Sequence, residues 1–167
     1  IAQNQTINKL ELDTGSQIDV NSGFSINVKG NITNVSKFVG DGEVILNGSI
    51  KHDLKGVGEY RNLRLNNTNG ANIVNSTNLT GVLYVDQGIL ITNDSLTLKS
   101  TASNTAQIGQ ITNSDATNGN VIVERFIPKS NRAFRYIGSP VNTTGTINDN
   151  LQEGFNNTDP NNNPNDI

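Results

Sequence analysis

Between Gly81 and Ser100 the chain reads GVLYVDQGILITNDSLTLKS, and this stretch limits the fold more than any other. It holds three short apolar pairs, Leu83/Val85, Ile89/Ile91 and Leu96/Leu98. The members of each pair stand two positions apart, so they share one face of an extended segment. Asp86-Gln87-Gly88 and Thr92-Asn93-Asp94-Ser95 separate the pairs, and both are turn-forming. Three strands and two corners in so short a span describe one coil of a β-solenoid.

The pattern recurs upstream. Leu10/Leu12, Ile18/Val20 and Ile26/Val28 follow one another every eight residues. Gly15 and Gly23 stand between them, where a sharp corner calls for positive φ. A second coil holds Ile32, Phe38/Val39, Val44/Leu46 and Ile50, with corners at Gly40-Asp41-Gly42 and Asn47-Gly48. A third holds Leu54, Val57, Leu63/Leu65 and Ile73/Val74. From Val28 to Leu46, Leu65 and Val85 the steps are 18, 19 and 20 residues, which sets a coil of about nineteen. The chain is therefore predicted to be all-β, a right-handed parallel β-helix of about five or six coils. An antiparallel sandwich is the competing all-β architecture, but few of the corners are two-residue hairpin turns.

Composition agrees with a thin core. Only 33% of the residues are apolar and 5% aromatic, and Trp, Met and Cys are absent. That is too little for a wide interior but enough for one row of side chains per face. Asn accounts for 29 of the 167 residues, and runs such as Asn66-Asn67 suggest stacked amides at the corners. A net charge of −3 argues against a nucleic-acid partner, which needs a basic face. No apolar run approaches the roughly eighteen residues of a membrane-spanning helix, so direct membrane insertion is not expected. Ile1-Ala2-Gln3 is compatible with the remnant of a signal-peptide cleavage region.

Beyond Thr101 the pattern weakens to Ile108 and Ile111, a looser coil or a linker. The character changes after Gly119. Val121 to Ile127 and Ala133 to Ile137 read as longer strands, and four of the eight aromatics fall in this last third. The predicted organisation is a β-helix over 1–118, a C-terminal β cap or truncated second β domain over 119–155, and a polar linker over 156–167.

The stretches FVGDGEVILNG (Phe38 to Gly48), YRNLRLNN (Tyr60 to Asn67) and GVLYVDQGILITN (Gly81 to Asn93) precede Glu124-Arg125-Phe126-Ile127 and Arg132 to Val141, RAFRYIGSPV. Together they resemble the β-solenoid regions of large secreted surface proteins of Bacteroidota, including adhesin-like proteins exported by the type IX secretion system. In that pattern a solenoid is followed by an Arg-aromatic-Ile strand and an Arg-x-Trp/Phe-Arg strand ending in Ser-Pro-Val. Phe134 stands here where Trp is common. The resemblance implies a secreted or cell-surface protein and, since no sorting domain follows, a fragment of something longer.

Several residues qualify as candidate sites. Asp41 and Glu43 are close enough to face one groove, as the paired acids of a polysaccharide hydrolase would, although a solvated corner is the simpler use. His52, the only histidine, has no Ser or Cys nucleophile motif nearby and reads as a surface residue. The glycines of Gly40-Asp-Gly42 and Gly56-Val-Gly58 suit tight corners better than phosphate loops. Asp159, Asn161 and Asn163 begin an oxygen-rich calcium loop that lacks its Gly and distal Glu. Asp94-Ser95-Leu96 matches the Bacteroidota O-glycosylation pattern and nominates Ser95. Of the ten Asn-x-Ser/Thr sequons, some would carry glycans in a eukaryotic secreted protein, many arise by chance in so Asn-rich a chain, and the resemblance implies no N-glycans. Arg125, Arg132 and Arg135 are candidates for a basic spot beside Glu124, although pairing across two adjacent strands is the simpler use. Tyr60 and Tyr84 are the solenoid's candidates for an aromatic platform, and no regular Thr-x-Thr ladder is present.

The function expected is structural or adhesive and noncatalytic: a stiff extracellular spacer able to associate through its solenoid ends and to meet surface glycans. No cofactor is expected apart from calcium at the C-terminal loop. The alternative is a carbohydrate-active or glycan-binding β-helix module.

Overall fold

The structure is a computed structural model that describes residues 1–111 and 116–129. All of these lie in the first of the two units into which the chain divides, residues 1–132. The calcium loop at Asp159, Asn161 and Asn163 lies outside the described residues, as do the Arg132–Val141 strand and the linker.

The described residues hold strands and no helix. The first coil is β1 (Gln5–Ile7), β2 (Leu10–Leu12) and β3 (Gln17–Asp19). The second is β4 (Ser25–Val28), β5 (Ile32–Asn34) and β6 (Lys37–Val39), and the third β7 (Glu43–Leu46), β8 (His52–Lys55) and β9 (Glu59–Tyr60). Then come β10 (Leu63–Asn66), β11 (Ala71–Ile73) and β12 (Thr77–Leu79). β13 (Val82–Gln87), β14 (Leu90–Ile91) and β15 (Leu96–Leu98) form the fifth. β16 (Gln107–Ile108), β17 (Thr117–Asn118) and β18 (Val121–Val123) complete the set.

Each coil gives one strand to each of three six-stranded sheets: β1-β4-β7-β10-β13-β16, β2-β5-β8-β11-β14-β17 and β3-β6-β9-β12-β15-β18. Every pairing between these described strands is parallel, which removes the antiparallel sandwich for them. The nineteen-residue step is the register itself: Val28 pairs with Leu46, Leu46 with Leu65 and Leu65 with Val85. The Gln107–Ile108 and Thr117–Asn118 strands make the weak stretch after Thr101 a coil. Val121–Val123 pairs with Leu96–Leu98, so the third sheet continues past residue 118.

The interior is a set of stacked aliphatic rows. On the first sheet Ile26, Val44, Leu63 and Leu83 form one row and Val28, Leu46, Leu65 and Val85 the next, all at most 2% exposed. The second sheet contributes Ile32, Leu54 and Ile73. The third stacks Phe38 on Tyr60, with ring centroids 5.1 Å apart and planes 17° from parallel. Rows repeat at the inter-strand spacing of about 4.8 Å, so each side chain is covered by its equivalents one coil away.

Several apolar residues expected inside are outside. Val57 is 64% exposed, Ile50 55%, Val74 45% and Ile89 42%. In the run Ile89-Leu90-Ile91 the face is inverted relative to the expected Ile89/Ile91 pair: Leu90 and Thr92 are buried. Three consecutive apolar residues carry no period-2 signal, and the register of Leu90 with Ala71 decides which one points in. Tyr60, expected as a possible exposed aromatic, is in the core because its row partner Phe38 offers a stacking surface.

Corners follow glycine chemistry where backbones crowd. Gly88 has φ of 79°, and a Cβ there would overlap the Asn67 carbonyl oxygen of the preceding coil. A Cβ on Gly48 would overlap the Lys29 carbonyl in the same way. Asn side chains mostly bond the backbone of a neighbouring coil instead of forming amide ladders: Asn34 Nδ2 donates to the Glu59 carbonyl at 3.2 Å, and Asn67 Nδ2 to that of Ile50 at 2.6 Å. Asn47 Nδ2 on Asn27 Oδ1, at 2.8 Å, is an amide-to-amide step between coils.

Tyr60 Oη is buried without a hydrogen-bond partner, and burial pushes its phenol well up, with the nearby Asn34 side chain acting the other way. Tyr60→Phe keeps the ring stack and removes a desolvated hydroxyl. Urea unfolding is expected to show unchanged or increased stability, by up to about 1 kcal/mol; a loss of about 2 kcal/mol would mean the hydroxyl is bonded.

Candidate functional site

The polar chemistry concentrates on the outer face of the first sheet. Along β4, β7, β10 and β13 the inward residues are aliphatic, so the alternate positions point to solvent. In register these run Asn27, Ile45, Arg64 and Tyr84. Arg64 is the centre of this face. Its Nε and Nη2 grip both oxygens of Glu43 at 2.8 and 2.9 Å, and its Nη1 meets Asp86 Oδ2 at 2.8 Å. Its guanidinium also lies 4.1 Å from the centroid of the Tyr84 ring. Glu43 and then Asp86 hold the guanidinium charged still more firmly than usual, against some desolvation.

Asp86 reaches Arg64 because the register slips between Leu65 and Asn66: Leu65 pairs with Val85 but Asn66 with Gln87. The bulge turns Asp86 outward and brings its carboxylate to the guanidinium. Tyr84 is closed off on its C-terminal side, where a Cβ on Gly109 would lie 2.5 Å from the ring. With Arg64 over its face, Tyr84 is part of the wall and not an open platform.

One coil earlier, Asp41 and Glu43 do share a groove. They line a notch of about 280 Å³ with Asn4, Phe24, Ser25 and Ile45. Asp41 Oδ1 is held by Arg61 at 3.2 Å, and Arg61 also donates to the Thr80 carbonyl at 3.0 Å. Asn4 Oδ1 accepts the Ser25 N–H at 2.9 Å and its hydroxyl at 3.3 Å. Both Glu43 oxygens are committed to Arg64, so a proton-transfer role for Glu43 would require breaking a bidentate ion pair.

His52 is not the surface residue expected from sequence. It is fully buried, in register with Ala71 on the second sheet. Its Nε2 accepts the Gly48 N–H at 3.1 Å, so Nδ1 carries the proton and donates to the Gly30 carbonyl at 2.6 Å. The ring thus ties two coils together and has no free nitrogen for chemistry. Pairing it with Leu54 as an inward couple, two positions apart, was the signal available in the sequence.

Ser95 sits half-buried after a tight turn in which Asn93 and Asp94 have φ of 48° and 56° and the Ser95 N–H returns to the Thr92 carbonyl at 2.9 Å. Both central residues with positive φ make this a type I′ geometry. Its hydroxyl donates to the Asn93 carbonyl at 2.9 Å. Glu124 pairs with Lys99 across the third sheet, while Arg125 Nη1 donates to the Glu124 carbonyl at 3.3 Å. Among the described residues no group of three or more His, Cys, Asp or Glu is placed to hold a metal ion, and no helix is long and apolar enough to cross a membrane.

No family model, curated protein or solved structure matches the chain.

Two outcomes follow from these contacts. Burial lowers the His52 pKa, with the Gly30 carbonyl opposing. Unfolded imidazole titrates near 6.5, so the folded state binds fewer protons just below that pH. The stability His52 confers is complete above about pH 6.5 and declines as pH falls into its folded range. The thermal midpoint is expected to drop between pH 7 and pH 5, and His52→Gln to flatten that slope; an equal slope in the variant would exclude His52 as its source. On the first sheet, a double-mutant cycle of Glu43→Gln with Arg64→Met should return a coupling of about 1 kcal/mol in urea unfolding. A coupling near zero would reduce the pair to surface decoration.

Proposed function

We propose that this chain is a noncatalytic structural or adhesive segment of an extracellular surface protein, a stiff β-solenoid spacer. The observation that carries the reading is how the acidic groups are used. The carboxylates that come together, Asp41 and Glu43, are each engaged by an arginine, and the only histidine is locked between two backbone groups. The wall spends its polar side chains on joining coils. The resemblance of FVGDGEVILNG, YRNLRLNN and GVLYVDQGILITN to solenoid regions of Bacteroidota surface proteins supports an exported, adhesin-like setting, with type IX secretion as the route. Stacked parallel sheets also favour end-to-end association: within the described residues β1, β2 and β3 stand at one edge of their sheets and β16, β17 and β18 at the other.

The rival is a carbohydrate-active enzyme working from the Asp41/Glu43 notch. Incubation of the purified chain with acidic and neutral polysaccharides is expected to release no new reducing ends and no unsaturated products. Turnover that disappears in Glu43→Gln would replace the structural reading with an enzymatic one.

A further inference from the structure

We propose that the notch on the first sheet binds a single neutral sugar ring. The proposal rests on the adhesive reading and names the chemistry that adhesion would use. At about 280 Å³ the notch falls just below the roughly 300–1,000 Å³ of pockets for larger organic ligands, so it suits one ring of an exposed glycan.

Its lining alternates in kind as a sugar does. Phe24 and Ile45 supply an apolar wall for ring C–H groups. Asn4 uses its Oδ1 on Ser25 and leaves Nδ2 as a donor with no partner among the described residues. Asp41 gives Oδ1 to Arg61, and its side chain remains 72% exposed, so Oδ2 is open to a hydroxyl. Glu43 is fixed by its bidentate grip on Arg64, and each of its oxygens keeps a second lone pair. A fixed carboxylate, an exposed carboxylate and a free amide present acceptors and a donor around one small cavity, and hydroxyl groups satisfy both.

The same geometry selects against anions. Two carboxylates line the notch, and the arginines paired with them do not. A uronic or sialic acid would bring its charge against Asp41 and Glu43. A metal ion is disfavoured too, since the paired arginines already compensate the acids and no third ligand of the usual kind converges. Ordering is built in: Ser25 and Glu43 are register partners on adjacent strands, so the rigid sheet sets their spacing.

The test is an NMR titration of the ¹⁵N-labelled chain with glucose, galactose and mannose, and with glucuronate as the anionic probe. The expected result is saturable shifts at the amides of Asn4, Ser25, Gly42 and Glu43 with at least one neutral hexose. Glucuronate should bind more weakly, and Asp41→Ala should weaken hexose binding about tenfold, the worth of a charge-assisted hydrogen bond, with an unchanged thermal midpoint. Absence of saturable shifts, equal binding of glucuronate, or indifference to Asp41→Ala would overturn the proposal. Adhesion of chain-coated beads to glycan-bearing cells is measured in parallel. Adhesion without hexose shifts overturns the notch alone, while hexose shifts without adhesion sustain the notch and overturn the adhesive reading.

Discussion

Each coil of this molecule is held by the coil next to it. A strand of three or four residues buries two side chains at most, and no single coil encloses a core. Burial becomes complete only when Val28, Leu46, Leu65 and Val85 lie one above another in parallel register. That dependence makes the coil length a physical constraint. The chain must return to the same corner after each circuit, so excess residues have to leave as corner loops or bulges.

The bulge at Asp86 shows how such an excess is used. One residue too many between Val85 and Gln87 leaves the aliphatic rows undisturbed and turns a carboxylate outward. Arg64 then bridges three coils, from Glu43 on β7 to Asp86 on β13, and lies over Tyr84. A guanidinium suits this place because its planar fork can serve two carboxylates and an aromatic face together. The result is a surface whose charges reinforce the stacking direction already set by the interior.

The architecture was legible wherever both members of an inward pair are aliphatic. Ile26/Val28, Val44/Leu46, Leu63/Leu65, Leu83/Val85 and Leu96/Leu98 point inward as their spacing implies. Reading failed where one member is polar. The inward couples Ile32/Asn34, His52/Leu54, Thr77/Leu79 and Leu90/Thr92 each hide a buried polar side chain behind a hydrophilic letter. Apolar neighbours such as Val57 and Ile89 then attracted the assignment. Each of these groups has a backbone partner: Asn34 holds the Ser36 N–H at 2.9 Å and Thr77 the Asn75 carbonyl at 3.0 Å within their own corners, and Thr92 the Asn120 carbonyl of the following coil at 2.7 Å. Burial costs such groups little once their hydrogen bonds are made, which is why hydropathy is a poor guide at corners.

The acidic pair was visible as a pair, but its arginines were not, because Arg61 and Arg64 lie about one coil away in sequence and only the register brings them alongside. This has a consequence for where function can reside. Inward positions are fixed by stacking and corners by backbone crowding, as at Gly48 and Gly88. Chemistry is left to the outward positions, where neighbours in space come from successive coils. Among those, residues bound into the Arg64 cluster have surrendered their freedom to the wall. The groups that keep open valences, Asn4, Asp41 and the second lone pairs of Glu43, lie beside Phe24 and Ile45 at the notch, so Glu43 joins recognition to the cohesion of the Arg64 cluster on one sheet.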